Sequence, residues 1–130
     1  MKKVFTNGCF DILHRGHIEL LRYCKSLGYV IVGINSDSSV RTLKGPGRPI
    51  NTHADRKFLL ESLRYVDGVK IFNEATPYEL IKRIKPDIIV KGGDYEPSTV
   101  IGCDLADVRI FDFINGHSTT EIIKSIIDRG

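Results

Sequence analysis

Cysteine is scarce in this chain: three thiols among 130 residues, Cys9, Cys24 and Cys103, with no Cys-x-x-Cys pair. Three cysteines cannot all be paired with one another, which suits a reducing cytoplasm with buried or idle thiols. Long apolar runs are missing too. Nothing approaches the ~20 residues of a membrane-spanning helix. Met1-Lys2-Lys3 resembles the start of a signal peptide, but Asn7, Gly8 and Asp11 interrupt the apolar run that would have to follow. The net charge of +3 is small and scattered. It favours anionic ligands without marking a nucleic-acid surface, and no interleaved aromatic and basic stacking surface is apparent. No linker, repeat or low-complexity tract divides the chain. One domain over residues 1–130 is expected, long enough to bury a core without disulfides or a structural metal.

What is present is an alternation of periods. Val4-Phe5 opens a short strand that ends at Asn7-Gly8. Residues 16–27 then place Ile18, Leu20, Leu21, Cys24 and Leu27 on one helical face, closed by Gly28. Residues 29–34 form an apolar, β-branched run, the pattern of a strand covered on both sides. Ser36 and its neighbours turn the chain into a short helix towards Leu43, and 44–49 read as a loop. Thr52 caps a helix with Asp55 three places on, and Phe58, Leu59, Leu63 and Val66 are its expected apolar face. A strand over 69–72, a helix from Thr76-Pro77 to before Pro86, and strands over 87–90 and 108–111 follow. A last helix over 118–128 carries Ile122, Ile123, Ile126 and Ile127 as its expected core stripe. Alternating strands and helices predict an α/β fold: a small doubly wound, Rossmann-like parallel sheet with helices on both faces.

In such a sheet ligands bind beyond the carboxyl ends of the strands. Three stretches fall there. The first runs from Asn7 and Gly8 through Cys9, Phe10 and Asp11 to His14-Arg15-Gly16-His17. Two imidazoles three apart can face one side, and Gly16 lets a phosphate approach free N–H groups at a helix N-terminus. Two capping histidines are the plain alternative, and a zinc site lacks a third ligand. The second joins Asn35-Ser36-Asp37 to Lys44 and Arg48 on the following loop and Arg56 on the next helix, a plausible anion clamp or a solvated charge run. The third is Ser118-Thr119-Thr120 at the last helix, either an ordinary cap or a phosphate grip. Lys91-Gly92-Gly93-Asp94-Tyr95 could shape a pocket for a nucleobase edge or simply turn the chain.

The His14-x-Gly16-His17 stretch, following Asn7-Gly8-Cys9-Phe10-Asp11, resembles the His-x-Gly-His motif of the cytidylyltransferase-like nucleotidyltransferase superfamily. Ser118-Thr119-Thr120 is similar to the Ser-Thr-Thr motif of the same superfamily, and the likeness covers essentially the whole chain. The resemblance implies an enzyme that joins a nucleotide to a phosphate-bearing acceptor and releases pyrophosphate. It puts His14, His17, Lys44 and Thr119 in catalytic roles on the phosphates. Asn7, Gly8, Cys9, Phe10, Gly16, Lys91, Gly92, Gly93, Asp94, Ser118, Thr119 and Thr120 fall at the nucleotide. Asp11, Asp37, Lys44 and Arg56 fall at the acceptor. Mg²⁺ is implied as a cofactor bridged mainly by phosphates, with no protein cage. Within the superfamily, Val90-Lys91-Gly92-Gly93-Asp94-Tyr95 with Pro97 looks like the heptose 1-phosphate adenylyltransferases. That likeness implies ATP and D-glycero-β-D-manno-heptose 1-phosphate as substrates, a homodimer, and neither nucleic acid nor membrane as partner. His117 departs from the small residue or cysteine usual there. A CTP-dependent glycerol-3-phosphate cytidylyltransferase and a nucleotide-binding module without turnover are the competing readings.

Overall fold

A computed structural model of the chain describes residues 1–112 and 119–129, with the backbone alone for Thr119. The elements run β1 (Lys3–Gly8), α1 (Arg15–Leu27), β2 (Tyr29–Asn35), α2 (Asp37–Lys44), α3 (His53–Glu61), β3 (Gly68–Phe72), α4 (Tyr78–Ile84), β4 (Ile88–Gly92), β5 (Asp107–Phe111) and α5 (Thr119–Arg129). The five strands form one parallel sheet in the order β3-β2-β1-β4-β5. The chain builds outward from β1 to β3, then returns to the other side of β1, so the strand order reverses between β1 and β4. The expected doubly wound α/β architecture is what forms.

Each strand's alternation divides two cores. Val4, Val30, Val32, Ile34, Val69 and Val90 face α1 and α3, where Leu20, Leu21, Cys24 and Leu60 meet them. Phe5, Phe72 and Ile89 face the other way, onto Leu80 and Ile81 of α4. Burying each such side chain contributes about 1.5–3 kcal/mol, which is why the central strands tolerate apolar residues on both faces. The caps follow the local chemistry: the Ser36 hydroxyl accepts from Ser39 N–H, and Thr52 from Asp55 N–H. At α4 Pro77 itself is the N-cap and offers no side-chain cap, with Thr76 Oγ1 3.5 Å from Tyr78 N.

Two expected faces are corrected. On α3, Phe58 is 71% exposed and Leu59 also faces solvent, while Arg56 and Leu60 turn inward. The helix ends at Glu61, so Leu63 and Val66 reach the core from the chain beyond it rather than as a continuation of its face. On α5, Ile122 and Ile123 are half-buried, but Ile126 and Ile127 are exposed.

Gly33 shows how tightly the α4 side is packed: a Cβ there would lie 2.7 Å from Phe5 Cζ and 3.2 Å from Leu80 Cδ2. Gly33→Val is expected to cost about 1–3 kcal/mol through overpacking, read as a lowered urea midpoint at unchanged m-value.

Candidate active site

The amino end of α1 is organised by its two histidines. His14 is the N-cap residue, and its Nδ1 accepts the Gly16 N–H at 3.0 Å. His17, one turn in, accepts the His14 N–H on its own Nδ1 at 3.3 Å. The two rings stack with centroids 3.9 Å apart. With each Nδ1 occupied as an acceptor, the neutral form of each ring carries its proton on Nε2. Burial, and then the neighbouring His14, push the His17 pKa down to about 3. His17 is therefore a neutral N–H donor at ordinary pH, in a helix terminus that already supplies partial positive charge.

Phe10 sits against this pair, its ring 4.9 Å from His17, with a left-handed backbone at φ 50°. A bulky residue with positive φ is uncommon and often marks a functional loop. A Cβ at Gly8 would lie 3.1 Å from the Phe10 ring, so glycine there lets the aromatic fold in.

Behind the loop lies a buried polar scaffold. The Arg56 side chain is sealed from water, and its guanidinium nitrogens are engaged. Nε donates to Asn51 O, Nη1 to both Cys9 O and Asn35 O, and Nη2 to Asp37 Oδ1, all within 3.0 Å. Asp37 is further tied to His53: its carboxylate accepts His53 N–H at 2.6 Å, while Asp37 N–H donates to His53 Nδ1. Asp11, 1% exposed, accepts the N–H groups of Ile50 and Asn51 and the Arg48 Nε. Burial alone would raise its pKa, but these donors and the Arg48 charge outweigh it and hold the carboxyl below its ordinary value.

The expected acceptor-side residues thus divide. Asp11, Asp37 and Arg56 are occupied with protein partners and fasten the loops after β1, β2 and α2 to one another. Lys44 is the last residue of α2, not a loop residue, and is exposed. The half-buried Cys9 thiol lies 3.8 Å from Asn35 Oδ1. Burial raises its pKa, against the pull of Lys44, Arg56 and Arg48.

On the α4 side of the sheet, a cleft of about 160 Å³ opens where β1 and β4 part, lined by Asn7, Pro77, Lys91, Tyr95, Thr99, Val100 and Ile101. Lys91 Nζ lies 5.2 Å from the Tyr95 ring centroid, and burial lowers its pKa. Gly93, at φ 118°, donates to Phe111 O and turns the chain after β4, where a Cβ would strike Tyr95 at 2.9 Å. Gly92 ends β4, and Asp94 is exposed. Ser118, the Thr119 side chain and His117 lie outside the described residues; Thr120 is exposed in the first turn of α5. Sequence reasoning missed the scaffold roles of Asn51 and His53 and the cleft walls Pro77, Thr99, Val100 and Ile101. The turn signals at 44–49 hinted at a loop but not at what held it.

The Cytidylyltransferase-like family model matches residues 5–125. Among curated relatives, the chain is 61% identical over 123 residues to the Bifunctional protein HldE of a Nitratiruptor species, covering 93% of this chain and 27% of the relative. It is 58% identical over 127 residues to the Bifunctional protein HldE of Sulfurimonas denitrificans, covering 96% of this chain and again 27% of the relative. The chain therefore spans about a quarter of the length of these relatives. Among solved structures, the lipopolysaccharide core biosynthesis protein from Thermoplasma volcanium superposes with a TM-score of 0.73 at 30% identity, covering 88% of this chain and 97% of that one. A pantothenate synthetase from Thermus thermophilus shares the fold at 18% identity, with a TM-score of 0.58 over 88% of this chain and 56% of that one.

Two outcomes are expected from this geometry. Arg56→Met leaves three carbonyls without their donor and should destabilise the fold by roughly 3–5 kcal/mol, measured by urea unfolding. The folded His17 holds its proton more weakly than the unfolded chain does, so between about pH 6.5 and pH 3 the unfolded state binds more protons and stability falls as pH falls. The slope from this one group is at most about 1.4 kcal/mol per pH unit. His17→Gln should flatten the melting-temperature profile between pH 4.5 and 6.5 by that contribution; an unchanged profile would remove His17 as its source.

Proposed function

The chain belongs to the cytidylyltransferase-like family, and on that premise we propose that it transfers AMP from ATP to a sugar 1-phosphate, with release of pyrophosphate. The acceptor we assign is D-glycero-β-D-manno-heptose 1-phosphate, giving ADP-heptose. The observation that carries the reading is the stacked His14–His17 pair at the end of α1, with both Nδ1 atoms engaged. Such a pair supports donation from Nε2 towards phosphate oxygens, with His17 held uncharged by its burial. Identity of 61% to a bifunctional HldE over 93% of this chain supports the narrower choice of acceptor.

The chemistry needs little from the protein beyond position and charge. A phosphate oxygen of the acceptor, already anionic, attacks the α-phosphorus of ATP in line. The α-phosphorus–oxygen bond to the β-phosphate breaks and pyrophosphate leaves, so no general base is required. His14 and His17 donate to the charge that builds on the phosphates, Lys44 neutralises acceptor and nucleotide phosphates, and Ser118, Thr119 and Thr120 hold the leaving pyrophosphate. Asn7, Lys91 and the turn Gly92-Gly93-Asp94 shape the nucleotide cleft. Among the described residues no three His, Cys, Asp or Glu side chains could together hold a metal ion, and the Asp11 and Asp37 carboxylates are taken by protein donors. Mg²⁺, which we assign as cofactor, would be held mainly by the substrate phosphates and would neutralise their charge. Among the described residues no helix is long and apolar enough to cross a membrane, and we assign the enzyme to the cytoplasm. We further assign it a homodimeric state, supported by the exposed Phe58 and Leu59 on α3.

Pyrophosphate release is expected with ATP and heptose 1-phosphate in the presence of Mg²⁺. His17→Ala should lower turnover about 10²–10³-fold, the usual loss for one transition-state donor. Turnover with CTP and glycerol 3-phosphate instead would replace the proposed substrates and keep the reaction type. Near-normal turnover by His17→Ala would sink the role given to the pair.

A further inference from the structure

We infer that Arg48, held at its Nε by Asp11, presents the terminal nitrogens of its guanidinium to the acceptor's phosphate and is the residue that selects a phosphate-bearing acceptor. The inference rests on the proposed transfer reaction and deepens it.

Arg56 is the arginine that the sequence pattern puts at the acceptor, yet its side chain is fully buried and makes four hydrogen bonds to protein oxygens. A guanidinium carries five N–H donors. Little of Arg56 is left for a ligand, and freeing it would strand three carbonyls. Arg48 is in the opposite state. Its side chain is 15% exposed, and among the described residues its one hydrogen bond runs from Nε to Asp11 Oδ2 at 2.8 Å. That bond fixes the plane of the guanidinium while leaving the paired Nη groups, the fork that matches two oxygens of a phosphate.

Asp11 does not need Arg48 to satisfy its charge. The N–H groups of Ile50 and Asn51 already reach both of its oxygens at 2.9 Å, and Asn51 Nδ2 donates to the Asp11 carbonyl at 2.8 Å. The arrangement therefore positions the arginine more than it neutralises the carboxylate. Its direction is also informative. Asp11 follows Cys9 and Phe10 in the loop that leads to His14, so the strap brings the 45–51 loop against the histidine loop. The charges of Lys44 and Arg48 are both felt at the Cys9 thiol. With Arg56 engaged, Lys44 and Arg48 are cations left beside that thiol for an incoming dianion, while Lys91, whose charge also reaches it, stands in the cleft on the α4 side of the sheet. Asp11 acts as a positioning residue, and Arg48 touches the ligand.

The test uses inorganic phosphate as the probe and runs alongside turnover. Phosphate is titrated calorimetrically into the wild type, Arg48→Gln and Arg48→Lys, with urea midpoints measured for all three. Because Asp11 keeps two backbone donors, both variants are expected to stay folded; Arg48→Lys retains the charge should Arg48→Gln prove unstable. Loss of the fork should weaken phosphate binding about tenfold or more in Arg48→Gln, and Arg48→Lys should recover only part of it. In turnover, KM for the sugar phosphate should rise by a similar factor while KM for ATP stays within about twofold. Wild-type phosphate binding and sugar-phosphate KM in both variants would overturn the assignment, as would a wild type that does not bind phosphate. Arg48-dependent phosphate binding without any pyrophosphate release would instead sink the transferase reading and leave the anion subsite standing.

Discussion

A guanidinium sealed from water is stable only if its donors meet oxygens, and Arg56 meets that demand by drawing on segments far apart in sequence. The carbonyls of Cys9, Asn35 and Asn51 and the Asp37 carboxylate belong to the ends of β1 and β2, the loop before α3 and the start of α2. Their relative placement follows from satisfying one cation, since a partly satisfied buried charge costs several kcal/mol. The histidine loop, the strap at Asp11 and the end of α2 are all built on that placement.

The same logic of engaged polar groups runs through the histidine pair. A helix N-terminus leaves N–H groups without partners, and here imidazole nitrogens take two local N–H groups. That use sets the tautomers, and burial of His17 keeps it uncharged. Capping and ligand presentation are thus one arrangement: the nitrogen that closes the helix turns the other nitrogen of the ring into a donor.

Much of this was readable from residue order, for reasons that differ by element. The β-branched run of β2 and the Leu20-Leu21-Cys24 stripe of α1 were legible because a long period matched to one environment leaves little choice. The α3 face was not. Phe58 and Leu59 follow helical spacing, but the helix ends at Glu61 and the inward positions belong to Arg56 and Leu60. Hydrophobic pattern ranks arginine outside, and only a count of available carbonyls reveals why it is inside. Ile126 and Ile127 mislead in the same way, since periodicity identifies an apolar stripe without saying whether this chain supplies its cover. At the candidate site the motif residues His14, Gly16 and His17 came together as spacing suggested. The division of labour among the charged residues did not follow from spacing, because it depends on hydrogen bonds between residues about 40 positions apart.

The sheet itself bears on how a ligand would be recognised. β1 is in register with β2 along its whole length, but with β4 only at Val4–Ile88 and Phe5–Ile89. Beyond that point the two strands diverge like an opened zip, and Asn7 and Lys91 stand on opposite sides of the gap. Parting the strands forgoes main-chain ladder bonds and turns the peptide edge itself into a contact surface. Recognition through peptide groups is indifferent to side-chain identity. Sequence drift along the flanks of the wedge can then reshape what fits without dismantling the means of holding it.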